Sequence, residues 1–155
     1  MSEQIRDPFM WDYMPDSELV FICAENIYSL FDPEKYGLQP SMVHTACCKG
    51  LIVYFALKNN KLYIDQLEVY CKNRIYPLIN GIRSKRQLYN TMRVYKNLNL
   101  ALNYSGTVII GTDFDEYYSD RAFTGAHCYN KTYELYFSNG KLIDYRETSG
   151  EYSGF

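Results

Sequence analysis

A chain of 155 residues with 47% hydrophobic and 17% aromatic side chains suits one folded domain spanning 1–155 and excludes wholesale disorder. Its longest apolar run, Leu51 to Leu57, is far short of the ~20 residues of a membrane-spanning helix. The five cysteines are an odd number without framework spacing and no basic cluster leads into an apolar core, so no disulfide scaffold or secretory signal is expected, but reduced thiols in a cytosolic protein.

Taken in chain order, Met1 to Pro15 mix charge, aromatics and proline without a period and read as irregular. Glu18 to Cys23 read as a strand. Asp32-Pro33-Glu34 has the order of an N-cap, a first-turn proline and an acidic first turn, and Gly37 ends it after about one turn. Strands are expected over 49–57 and 61–70, with a weaker one over 74–79. Ser84-Lys85-Arg86-Gln87 matches a capping box, and Leu88, Met92 and Tyr95 follow at helical spacing, which predicts a short helix over about 85–94. A weak strand over 97–104, a turn at Asn103–Gly106 and strands over 106–112, 130–138 and 141–146 complete the pattern.

One short pattern occurs twice, eighty positions apart: an apolar run, Asn59-Asn60-Lys61-Leu62 and a second run, echoed around Asn139-Gly140-Lys141-Leu142. Asn-Gly and Asn-Asn tolerate the positive φ of a type I′ turn, so each copy reads as a β-hairpin. The 17 Tyr and 8 Phe also favour pleated, half-buried surfaces. The expected fold is mainly β (α+β): an antiparallel meander forming a curved sheet or partly closed barrel, with the 85–94 helix capping it.

Charge is uneven along the chain. Between Glu68 and Asp113 stand seven cations and no carboxylate, so a net charge of −2 is +7 in this stretch set against −9 elsewhere. At the expected helix start, Arg83, Ser84, Lys85 and Arg86 present cations where the dipole disfavours them, an arrangement that a bound anion would relieve. The alternative there is a solvated basic turn. The acidic counterpart, Asp113-Phe114-Asp115-Glu116-Tyr117-Tyr118-Ser119-Asp120, lacks the sixth-position Gly and twelfth-position Glu of a calcium loop. Asp113, Phe114, Asp115, Glu116, Tyr117, Tyr118 and Asp120 therefore read either as a loop that docks a basic partner or as a solvated connection between strands.

Patterns that carry chemistry are missing. His44 and His127 stand near Cys47, Cys48 and Cys128, but no ligand spacing frames a zinc site and no nucleophile or dinucleotide motif occurs. No cofactor or metal is called for. Tyr76, Tyr89 and Tyr95 are interleaved with the basic residues, yet the −9 of the remaining chain would repel a polyanion, which disfavours nucleic acid.

Lys49-Gly50 with Lys61-Leu62-Tyr63, Tyr104-Ser105-Gly106 with Ile110-Gly111, and Leu135 and Phe137 before Gly140-Lys141-Leu142 together resemble a family of small uncharacterised bacterial β-rich proteins. The resemblance covers about 41–147 and implies turn and strand elements, with no activity, ligand or catalytic residue attached. Two functional readings follow from the residues. One is a non-enzymatic cytosolic interaction protein, such as an immunity-type inhibitor, that binds a basic protein partner through the acidic aromatic loop. The other is a small-ligand or anion-binding β-domain, with or without turnover, that uses the basic helix start.

Overall fold

The computed structural model describes residues 4–118 and 125–148. Ten strands form one curved sheet: β1 (Pro8–Trp11), β2 (Leu19–Ala24), β3 (Leu51–Lys58), β4 (Lys61–Val69), β5 (Lys85–Gln87), β6 (Asn90–Tyr95), β7 (Leu100–Ala101), β8 (Gly106–Phe114), β9 (Tyr129–Ser138) and β10 (Lys141–Thr148). The strand order is β10-β9-β8-β2-β1-β3-β4-β6-β5. One α-helical turn, α1 (Ile27–Leu30), follows β2. Among the described residues no helix is long and apolar enough to cross a membrane. The fold is thus mainly β, as the strand signals and turn chemistry require.

Both repeated turns form as their residues dictate. Asn59 and Asn60 have φ of 51° and 62°, and Asn139 and Gly140 have φ of 50° and 79°, so each pair of central residues takes the positive φ of a type I′ hairpin. The two hairpins also meet each other. Leu62 N donates to Gly140 O at 2.9 Å and Leu142 N donates to Asn60 O at 2.7 Å, with Lys61 opposite Lys141. Equivalent residues of the two copies exchange equivalent hydrogen bonds, a local two-fold relation within one chain. This single pair brings β10 back to β4 and curves the sheet round on itself.

Several expectations are corrected. Residues 85–94 form no helix: β5 and β6 are antiparallel strands, with Gln87 opposite Asn90. Leu88 and Tyr89 are 92% and 99% exposed at the turn. Buried Met92 and Val94 alternate along β6, and β6 pairs with β4 through Leu67↔Tyr95 and Val69↔Arg93, so period two and a waiting sheet edge override a local capping pattern. Second, 1–15 is not irregular throughout. Phe9 and Trp11 of β1 are 3% and 2% exposed, and proline is admitted as the first residue of the strand. Third, the sheet is not a simple meander, because β1 runs parallel to β3, with Phe9↔Phe55 and Trp11↔Leu57. The weak strand over 74–79 is absent and that over 97–104 shrinks to β7. The Asp32–Gly37 turn forms as expected: Asp32 Oδ1 accepts from Glu34 N at 3.1 Å, and Gly37 at φ 79° ends a 3-10 turn over Pro33–Tyr36.

The core lies within the curve and draws on every long strand but β10, which rests half-buried Leu142 against it. Phe9, Trp11, Phe55, Leu57, Leu62, Ile64, Tyr104, Ile110, Leu135 and Phe137 belong to one buried cluster. Trp11 packs edge-on against Tyr133 and Tyr145 at 5.9 and 5.1 Å, a geometry that aligns ring edges with the π-face. Asp7 fixes the entry to this core: buried, it accepts from Val53 N at 2.9 Å and pairs with Lys49 at 2.6 Å. These contacts hold β1 and β2 where the loop joining them reaches the end of β8.

Candidate functional site

The acidic aromatic segment begins within β8. Asp113 takes a left-handed φ of 58°, a conformation that aspartate tolerates better than most residues, and its Oδ2 accepts from Asn130 Nδ2 at 3.2 Å. Asp115 then starts a 3-10 turn over Glu116–Tyr118, where its Oδ1 accepts from Tyr117 N at 3.0 Å and its carbonyl accepts from Tyr118 N at 3.0 Å. The rings divide by role. Phe114 is half-buried, edge-on to Tyr129 at 5.3 Å and covered by the Arg6 guanidinium at 4.2 Å, so it braces the segment. Tyr118 packs on His127 at 5.3 Å. Tyr117 is 75% exposed and is the ring available to a partner. Asp120 lies outside the described residues.

The fold adds carboxylates that the sequence reading missed. The loop between β1 and β2 carries Asp16 and Glu18, and antiparallel pairing of Val20 with Gly111 sets them beside the end of β8. Asp16, Glu18 and Asp113, with Arg6, Thr112 and Tyr129, line an open cleft of ≈ 570 Å³. Among the described residues the carboxylates in ion pairs are Asp7, Asp65 and Glu134; Asp16, Glu18, Asp113, Asp115 and Glu116 make none. All five are exposed. The cleft wall thus carries three carboxylates and the Arg6 guanidinium, an excess of negative charge that attracts an incoming cationic surface.

The four residues expected to hold an anion at a helix start are not brought together as such a site. Without the helix there is no dipole end. Arg83, Lys85 and Arg86 are exposed along β5 and its approach, whereas Ser84 is 3% exposed. Its hydroxyl accepts from Arg93 Nε at 3.1 Å, which is the work the capping box would have given it. Of the four, Arg86 lines a cleft together with Arg74 and Arg93.

Metal-ligand chemistry is not assembled among the described residues. No three His, Cys, Asp or Glu side chains there come together as a metal site. All five cysteines are free, with Cys47, Cys71 and Cys128 buried. Burial pushes the Cys23 thiol up to about 11, which keeps it protonated at neutral pH. His44 Nδ1 accepts from Ala46 N at 3.2 Å within its own loop. What the acidic edge offers is charge, concavity and one exposed ring. The chain matches no protein-family model, no curated protein and no solved structure.

Proposed function

We propose that this is a non-enzymatic cytosolic interaction protein, of the immunity-inhibitor kind, that covers a basic surface of a protein partner with its acidic edge. The carrying observation is the convergence of Asp16 and Glu18 from one loop with Asp113 from another segment in one cleft, beside Asp115, Glu116 and exposed Tyr117. Distributed carboxylates of this kind act chiefly on association: complementary potential steers encounter and suppresses wrong partners. The exposed tyrosine supplies the apolar, hydrogen-bonding anchor common at interface centres.

Pull-down from the native host with wild type and with an Asp16→Lys/Asp113→Lys/Glu116→Lys variant tests the reading, followed by binding kinetics on the purified partner. The expected result is a basic partner recovered by wild type and lost by the variant, with the association rate falling steeply as salt rises from about 50 to 300 mM. Equal recovery by both proteins, or binding indifferent to salt, contradicts it.

A further inference from the structure

We infer that a second cleft, between the end of β4 and the β5–β6 hairpin, is a binding site for a small phosphate-bearing anion. Arg74, Arg86 and Arg93 converge on it together with Tyr70, Tyr76 and Gln87, and no aspartate or glutamate lines it. Its volume of ≈ 560 Å³ falls within the roughly 300–1,000 Å³ of small-ligand sites. The three arginines come from three places: the turn after β4, β5 and β6. Their meeting is a product of the fold, since a run of basic residues in sequence would not by itself face one cavity.

The cleft is built around a fixed guanidinium. Arg93 donates from Nε to Ser84 Oγ at 3.1 Å and from Nη2 to the Ser84 carbonyl at 3.3 Å, and its guanidinium lies 5.3 Å from the Tyr76 ring centroid. Tyr76 is held in turn, its hydroxyl accepting from Cys71 N at 2.9 Å. A merely solvated arginine keeps its rotamers, because ordering so long a side chain costs roughly 1.5–2 kcal/mol of entropy. Here that cost is met by a buried serine and an aromatic face, with no carboxylate in return. Glu68, near in register, accepts from the Tyr54 hydroxyl at 2.7 Å, and among the described residues none of the three arginines makes an ion pair. Arg93 keeps N–H donors beyond those bound to Ser84, and the planar fork of an arginine matches two phosphate oxygens at once. Three uncompensated cations on one concave wall also favour a ligand with more than one negative charge.

This site is separate from the acidic edge and stands without it. Calorimetric titration of the full chain with pyrophosphate, AMP and inorganic phosphate, against sodium sulfate at equal ionic strength, tests it. The variants are Arg74→Ala, Arg86→Ala and Arg93→Lys, each checked for an unchanged melting temperature without ligand; the first two alter exposed side chains and the third keeps the charge while losing the fork. The expected result is saturable binding of at least one phosphate compound, preferred over sulfate, and weakened about tenfold or more in each variant. AMP binding more tightly than pyrophosphate places an organic moiety against the tyrosines; the reverse makes the phosphate chain the whole determinant. No saturable binding in the millimolar range, an equal response to sulfate, or equal affinity in wild type and all three variants overturns the proposal. So does tight binding of a single-stranded oligonucleotide where the small phosphates fail.

Discussion

Glu134 is a residue where burial and pairing oppose each other. It is 5% exposed in β9, which by itself would raise its carboxyl. The Tyr136 hydroxyl donates to it at 2.5 Å and Arg146 Nη2 donates to both carboxylate oxygens at 3.0 Å, and together these hold it below its ordinary value of 4.5. A depressed carboxylate contributes stability that is present above the unfolded-state value and lost as pH falls through the folded one. Glu134→Gln is therefore expected to cost about 2 kcal/mol by urea unfolding at pH 7, with the gap from wild type steady down to about pH 5 and shrinking below pH 4.5. A gap of the same size at pH 7 and pH 2 would refute this assignment. At the same scale, the acidic edge was half legible. Asp113, Asp115, Glu116 and Tyr117 are neighbours in sequence and needed no fold to be noticed. Asp16 and Glu18 became visible only when β2 paired with β8, a contact that no local pattern encodes.

The two Asn-led hairpins are the elements on which the architecture turns. Each was readable because positive φ at two consecutive positions is a local demand, met by few residue types. Their meeting was not readable, and neither was the third segment, at Leu102, that makes one copy need Gly where the other has Asn. A Cβ on Gly140 would stand 2.0 Å from Leu102 O, at a φ of 79°, whereas the Asn60 side chain is exposed. Gly140→Ala is expected to destabilise by at least about 2 kcal/mol, and Asn60→Gly to stay within about 0.5 kcal/mol. Equal effects in thermal or urea unfolding would mean that the Asn139-Gly140 turn does not pack against the Leu102 carbonyl as described. The hairpin of β5 and β6 teaches the opposite lesson. Ser84 and Gln87 satisfy a capping pattern, yet Gln87 Nε2 donates to Met92 O at 3.0 Å across the strand pair. Local chemistry allowed both outcomes, and pairing with β4 decided between them.

Across the whole molecule, the charge asymmetry of the sequence survives folding. The three-arginine cleft lies at the β4–β6–β5 end of the strand order and the acidic cleft at β2 and β8, with β1 and β3 between them. Two clefts of opposite sign on one sheet carry the two proposals, a basic partner surface at one and a small anion at the other. The antiparallel pairing of β2 with β8 seats the acidic loop between β1 and β2 over the end of β8, while the parallel pairing of β1 with β3 joins that half of the sheet to the arginine-bearing half. A four-residue strand paired with a partner over forty positions away leaves little trace in local periodicity, which is why residues 8–11 read as irregular. The most direct measurement is hydrogen–deuterium exchange of the protein alone and bound to its recovered partner. The account predicts protection concentrated in residues 12–18 and 113–118, with β5 and β6 unchanged. Protection confined to the arginine cleft, or to the exposed face of β10, with the acidic edge exchanging as in the free protein, would contradict it.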